Sequence, residues 1–102
     1  MRANAEVYQK AAWYLRHECT ASDREDFYRQ IEWVCDDPVG RSRMLFDPEA
    51  SRYVERWFAF GRGVERIAIF RYDGNVVKVS RCRLSKPRRG RSGGHGEGEI
   101  AD

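Results

Sequence analysis

Cysteine and histidine are scarce in this sequence, and their scarcity limits the chemistry that the chain can perform. There are three cysteines and two histidines, at irregular spacing: Cys19, Cys35, Cys82, His17 and His95. An odd cysteine count without paired spacing predicts neither a disulfide framework nor a zinc site. No Ser/His/Asp or Cys/His arrangement is visible either. We therefore expect no metal and no cofactor.

Long apolar runs are also missing. No segment approaches the ~18–20 residues that span a membrane, and the N-terminal MRANAEVYQK has no apolar signal region. These features predict a soluble, cytoplasmic protein without a membrane partner. A length of 102 residues predicts one domain with a small core, which argues against an enzyme built from two lobes.

Lysine is rare beside arginine, and the charge is unevenly distributed along the chain. Sixteen of the 19 basic residues are arginine. Residues 1–51 carry a net charge of −3, residues 52–91 carry +9, and residues 92–102 carry −3. A concentrated positive segment in a chain of modest overall charge favours a polyanionic partner, although an arginine-rich genome is an alternative explanation of the composition.

The N-terminal half has the periodicity of two helices. Apolar residues at spacings of three and four predict a first helix over residues 4–18. Ser22, followed three residues later by Glu25, predicts the capping box of a second helix. That helix buries a stripe of Phe27, Ile31 and Val34, and Asp36-Asp37-Pro38 ends it.

The C-terminal half has the alternation of β-strands. Residues 38–51 are predicted to be a loop or a short irregular helix, and strands are predicted over residues 53–60, 64–72 and 76–84. Asp73-Gly74 predicts a hairpin turn. Strict alternation in the last strand places Val77, Val79, Arg81 and Arg83 on one face.

The predicted fold class is therefore α+β, with an N-terminal helical hairpin packed on a three-stranded antiparallel β-meander. This single domain covers residues 1–86. Residues 87–102 are rich in glycine and lack apolar periodicity, so we expect a disordered C-terminal tail.

Arginines of the predicted sheet are the main functional signal. Like charges on adjacent strands repel one another unless an anion neutralises them, which indicates a phosphate-binding face for nucleic acid. The alternative is that these arginines are solvated or paired with Glu55, Glu65 and Asp73. The candidates within and between the strands are Arg56, Arg62, Arg66, Arg71, Arg81 and Arg83.

Two further groups are candidates for nucleic-acid contacts. Most aromatics of the strands are expected in the core, with Tyr72 as the exception that could stack on a base because it lies beside a turn. Arg88 and Arg89 form a short RG-type segment that could contact nucleic acid or remain solvated. The acidic pair Asp23 and Asp26 is read as the usual acidic bias of a helix N-terminus rather than as a catalytic site.

The combination of two helices, a proline-containing loop and a basic antiparallel meander resembles the RelE/ParE toxin superfamily of bacterial toxin–antitoxin systems. The resemblance spans roughly residues 5–86. It depends on four segments: Asp37-Pro38, Gly63-Val64-Glu65-Arg66-Ile67-Ala68-Ile69-Phe70, Tyr72-Asp73-Gly74-Asn75 and Val76-Val77-Lys78-Val79.

The resemblance implies one of two activities, and the sequence leaves open whether the chain is an enzyme. RelE-type members are metal-independent endoribonucleases that cleave messenger RNA on the ribosome, and ParE-type members poison DNA gyrase. Both are held inactive by a cognate antitoxin. The family usually opens with a β-strand before its helices, whereas this sequence predicts a helix from Asn4.

Carried over by position, the residues that the resemblance makes catalytic are Arg56, Arg66, Arg83 and Lys86. They would orient the scissile phosphate and stabilise its transition-state charge. Residues predicted to bind nucleic acid are Arg62, Arg81, Tyr72, Arg88 and Arg89.

A non-enzymatic module that binds nucleic acid or protein through the same basic sheet is the alternative function. Arg66 is expected to lie near Arg56 and Arg83. We also expect it to be exposed enough that Arg66→Ala changes stability by less than ~1 kcal/mol.

Overall fold

The computed structural model describes residues 2–47 and 52–86. Within them the chain forms two helices and five strands. In chain order these are β1 (Asn4–Val7), α1 (Gln9–His17), α2 (Ala21–Asp36), β2 (Arg43–Asp47), β3 (Arg52–Phe60), β4 (Arg66–Asp73) and β5 (Val76–Leu84). The class is α+β, as the sequence predicted. The predicted tail over residues 87–102, with Arg88 and Arg89, lies outside the described residues.

All five strands form one mixed sheet in the order β1-β5-β4-β3-β2. The predicted meander is its antiparallel centre, β3-β4-β5, and the β4–β5 hairpin turns at Gly74, whose φ is +65°. The prediction of a three-stranded sheet was wrong, because one further strand lies on each side of the meander. β2 extends it antiparallel to β3 where the sequence predicted a loop, and β1 closes the other edge parallel to β5.

The first strand corrects the predicted start of the first helix. Residues Asn4–Val7 pair with Val76–Val79, and the backbone N–H of Tyr8 donates to the carbonyl oxygen of Val79 at 2.9 Å. Helix α1 therefore begins at Gln9 rather than at Asn4. Local periodicity missed β1 because its partner strand lies about seventy residues further along the chain.

Both helices cover one face of the sheet. One buried cluster, which we call the helix-side core, joins the helices to β3, β4 and β5. Its helix members include Ala11 and Leu15 of α1 and Phe27, Ile31 and Val34 of α2. The cluster confirms the stripe predicted for α2. Its strand members are Phe58, Phe60, Ala68, Phe70, Val77, Val79 and Cys82. No helix in residues 2–47 or 52–86 has the length and apolar character needed to cross a bilayer.

The cap of α2 differs from the predicted capping box. The helix begins at Ala21, and the Thr20 hydroxyl accepts a hydrogen bond from the backbone N–H of Asp23 at 3.1 Å. Ser22 lies inside the first turn, so its predicted capping role was wrong.

We expect Thr20→Ala to lower the free energy of unfolding by about 1 kcal/mol, because it leaves a backbone N–H of the first turn without its partner. Ser22→Ala is the matched control, and it should change stability by less than about 0.5 kcal/mol. Chemical denaturation of the two variants measures both values. Equal losses would show that Thr20 is not the cap.

Candidate nucleic-acid interface

Strand register places a row of side chains on the sheet face opposite the helices, which we call the open face. Arg43 of β2 pairs with Trp57 of β3, Trp57 with Ile69 of β4, and Ile69 with Arg81 of β5. Directly paired residues of neighbouring strands point to the same side. The row Arg43–Trp57–Ile69–Arg81 therefore crosses four strands with an arginine at each end.

A small apolar floor lies beneath these cations. Leu45, Ile67 and Ile69 are buried, and the partly exposed Trp57 packs against them. This cluster is separate from the helix-side core and contains strand residues alone. Trp57 therefore packs against an apolar surface between the strands that carry Arg43 and Arg81.

Five basic side chains of the described residues share the open face. Beside Arg43 and Arg81, the strand register places three more there. Arg83 pairs with Ile67, and Arg71 and Lys78 pair with each other. Three carboxylates accompany them there among the described side chains, on Glu6, Glu55 and Asp73. The open face thus keeps a net positive charge, which attracts a polyanion.

Contacts on the open face orient three of these basic side chains. Arg81 forms a two-pronged pair with Glu55, with Nη1 3.1 Å from Oε2 and Nη2 3.4 Å from Oε1. Such forked pairing holds a guanidinium in one plane. The Arg43 guanidinium lies over the Trp57 ring, 5.9 Å from its centroid. Lys78 donates to the exposed Asp73 at 3.3 Å.

A β-bulge at Ser80 brings Arg81 and Arg83 to this face. Phe70 pairs with Val79, but the preceding Ile69 pairs with Arg81, which leaves Ser80 as an extra residue on β5. The Ser80 hydroxyl donates to the carbonyl oxygen of Ile69 at 3.3 Å. The predicted grouping of Val77 and Val79 with the two arginines was therefore wrong, because the bulge reverses the alternation between them.

Arg56 and Arg66 lie on the helix side instead. Arg56 pairs with Phe70 and Arg66 with Phe60, and both phenylalanines belong to the helix-side core. Four residues of β3 separate the two positions, which is about 13 Å of strand. The expectation that Arg56, Arg66 and Arg83 converge was wrong, because Arg83 lies on the opposite face and the other two lie far apart.

Arg66 is tied into a buried polar network. Its Nε is 3.2 Å from Oδ2 of Asp23, and its Nη1 donates to the Tyr14 hydroxyl at 2.8 Å. The side chain of Arg66 is 12% exposed and that of Asp23 is 5% exposed. Arg66 is thus not fully buried, as expected, but most of its side chain is shielded from solvent. Its side chain links α1, α2 and β4, so its loss should cost far more stability than the sequence predicted.

Asp23 and Asp26 bind the turn between β3 and β4. The Arg62 backbone N–H donates to Asp23 at 3.0 Å, and the Gly61 N–H donates to Asp26 at 2.8 Å. Gly61 has a φ of +112°, and an added Cβ would lie 2.5 Å from the Val64 carbonyl oxygen. The hydrogen bond from the Arg62 N–H, reinforced by Arg66, lowers the pKa of Asp23 despite its burial.

The sequence contained a signal for this role of Asp23. The residue precedes Phe27 by four positions, so the helical period places it on the buried stripe of α2. A carboxylate on a buried stripe needs a partner. The reading of the acidic pair as an ordinary helix-terminus bias overlooked that requirement.

The remaining predicted residues are more scattered. The Arg62 side chain lies near the start of α2, with Nε 4.0 Å from Oδ1 of Asp26. Arg56 donates from Nη1 to the Ser42 hydroxyl at 3.1 Å. Tyr72 is partly exposed on the helix side, where it pairs with Val77. Lys86 is exposed beyond β5.

Two observations concern the thiols and the possible metal ligands of the described residues. Burial raises the pKa of the Cys82 thiol to about 12, so this thiol stays protonated and weakly nucleophilic at neutral pH. Among the residues that the structure describes, no group of three or more His, Cys, Asp or Glu side chains could hold a metal ion.

Comparisons of the chain with protein-family models, with curated proteins and with solved structures find no match. The open face and the resemblance carried by the sequence are the two features that point to a function.

Proposed function

We propose that this protein is a RelE/ParE-like toxin that binds RNA on the open face of its sheet. The row Arg43–Trp57–Ile69–Arg81 is the observation that carries the proposal. It places an aromatic ring between two arginines on the sheet face opposite the helices. Phosphate and base contacts to single-stranded RNA need these two kinds of group.

The order of the elements supports the family part of the proposal. The family usually opens with a strand, and β1 precedes the two helices and the antiparallel strands. The same toxin class implies a cognate antitoxin as the protein partner, with the ribosome-bound messenger RNA as the substrate of a nuclease.

The proposal also assigns different roles to the residues of the site. Arg81 keeps its predicted role as a nucleic-acid contact, Arg83 moves from the catalytic group to the binding group, and Arg43 and Arg71 join them on the same face. The Arg81 guanidinium is held in one plane by Glu55, so a phosphate that binds here would share this arginine with the carboxylate. We propose no part in the chemical step for Arg56 and Arg66, because they lie on the helix side.

A non-enzymatic RNA-binding module is the second candidate. It is favoured by one observation, which is that the three arginines predicted to act together are divided between two faces. Binding to the open face does not require them to converge, whereas the cleavage mechanism carried over from the family does. Gyrase poisoning, the ParE-type activity, differs from both because its target is DNA gyrase rather than RNA.

We expect induced expression of the chain without an antitoxin to arrest bacterial growth, because an RNA-directed toxin removes translated messages. Growth curves and primer extension on cellular messenger RNA measure arrest and cleavage together. Arrest with new RNA ends supports the nuclease. Arrest with inhibited DNA supercoiling supports gyrase poisoning, and normal growth at good soluble expression contradicts the toxin. RNA binding by the purified chain without arrest supports the binding module.

A further inference from the structure

We infer that Trp57 is the platform on which one base of a single-stranded RNA stacks, with Arg43 and Arg81 holding the phosphates on either side. The inference rests on the proposed RNA binding. It adds that the bound RNA is single-stranded and that Trp57 is the residue that selects single strands. The sequence assigned Trp57 to the core, together with most of the other strand aromatics.

The position of Trp57 is the first argument. Its ring packs on the floor of Leu45, Ile67 and Ile69 but remains partly exposed. Contacts with this floor and with the Arg43 guanidinium restrict the ring before a ligand arrives, so stacking on it costs less entropy than stacking on a free side chain. The ring is therefore preorganised for a flat partner.

The surrounding cations are the second argument. Arg43 is one strand away from Trp57 and Arg81 is two strands away on the other side, which corresponds to backbone separations of about 5 Å and about 10 Å. A base on the ring would place the phosphates of its own nucleotide and of the next between these guanidiniums. The Arg43 guanidinium already lies over the ring and would move from the aromatic face to a phosphate.

This arrangement should favour single-stranded RNA over duplex RNA. A base can stack on a protein ring only when it leaves its own helical stack, which single strands permit at low cost. Duplex RNA presents phosphates and hydroxyls, so it could use the arginines but not the ring. Trp57 should therefore discriminate between the two forms, whereas the arginines alone should not.

The two other tryptophans provide matched controls. Trp13 and Trp33 lie on the helices, are 54% and 50% exposed, and contact His17 and Arg41 respectively. Each is an exposed aromatic of the same type away from the open face. If any exposed ring could bind RNA, their loss would weaken binding as much as the loss of Trp57.

The first test measures the affinity of Trp57→Leu, Trp57→Phe, Trp13→Leu and Trp33→Leu for fluorescein-labelled oligouridine RNA and for an RNA duplex. Trp57→Leu should weaken single-strand binding about ten- to a hundredfold, because a stacked base contributes about 1–3 kcal/mol. Its duplex affinity should stay within about twofold. Trp57→Phe should recover most of the loss, and the helix variants should bind like the parent chain.

A second measurement covers the case in which Trp57→Leu fails to fold. In the double variant Trp13→Phe/Trp33→Phe, Trp57 is the one tryptophan left in the sequence. Oligouridine should quench its fluorescence with the same midpoint as the anisotropy titration, and duplex RNA should not.

Three outcomes are decisive. Unchanged single-strand affinity in Trp57→Leu, or RNA binding without quenching of Trp57, would overturn the stacking inference and leave the proposed RNA binding intact. Equal losses for single-stranded and duplex RNA would also overturn it, because they would show that Trp57 acts only through the shape of the sheet. A parent chain that binds neither RNA would contradict the proposed function itself.

Discussion

Replacing Asp23 with alanine is expected to lower the free energy of unfolding by about 3–5 kcal/mol, the usual cost of removing one partner of a buried ion pair. The substitution leaves the Arg66 guanidinium, which is 12% exposed, without its carboxylate. It also removes the acceptor of the Arg62 backbone N–H. Chemical denaturation measures the loss, and Glu25→Ala, an exposed change on the same helix, should cost less than about 0.5 kcal/mol.

The same residue predicts a dependence of stability on pH. The folded pKa of Asp23 lies below its ordinary value of 3.8, so its contribution to stability is fully present above that pH. The contribution is lost as the pH falls through the lower, folded value. The parent chain should therefore lose stability below about pH 4 more steeply than Asp23→Asn. Parallel profiles for the two chains, or a loss of less than 1 kcal/mol in Asp23→Ala at neutral pH, would contradict the network.

Reversing two charges of the open face, in the variant Arg43→Glu/Arg71→Glu, is expected to weaken RNA binding by at least about a hundredfold. Each lost hydrogen bond to a phosphate costs about 1.5–3 kcal/mol, and the new carboxylates repel the RNA in addition. Both side chains are exposed, so the melting temperature should stay within a few degrees. The slope of log affinity against log salt should shrink by about 1.4, which is ~0.7 for each lost phosphate.

The matched control is Arg16→Glu/Arg29→Glu, which changes the net charge equally but on exposed positions of α1 and α2. If RNA binding responds only to overall charge, the two double variants should weaken it alike. If the open face is the site, the helix variant should retain most of the affinity. Equal losses of RNA affinity in the two variants would show that the open face is not the binding site.

Sequence patterns predicted the centre of the fold well, because the interactions there are local. The stripe of Phe27, Ile31 and Val34 defined α2, and the Asp73-Gly74 signal located the β4–β5 hairpin. Both features depend on neighbours within a few residues. Strands β3 to β5 were placed within two residues of their observed bounds for the same reason.

Features that depend on distant partners were not predicted. The strand β1 is four residues long and is held by β5, so nothing in its own sequence distinguishes it from the start of a helix. The bulge at Ser80 is a property of two paired strands, and it determines which face receives Arg81 and Arg83. Sequence analysis therefore named Arg71, Arg81 and Arg83 as candidates, but it could not separate them from Arg56 and Arg66, which lie on the other face.

The most direct test of the open face as an RNA-binding surface is an NMR titration of the isoleucine methyl groups and tryptophan indoles with single-stranded oligouridine. The sequence has four isoleucines, of which Ile67 and Ile69 lie beneath the open face and Ile31 lies in the helix-side core. RNA binding at the open face predicts saturable shifts for Ile67, Ile69 and the Trp57 indole, with Ile31 unmoved. Shifts confined to Ile31 and to the indoles of Trp13 and Trp33, or no shifts at millimolar RNA, would contradict it.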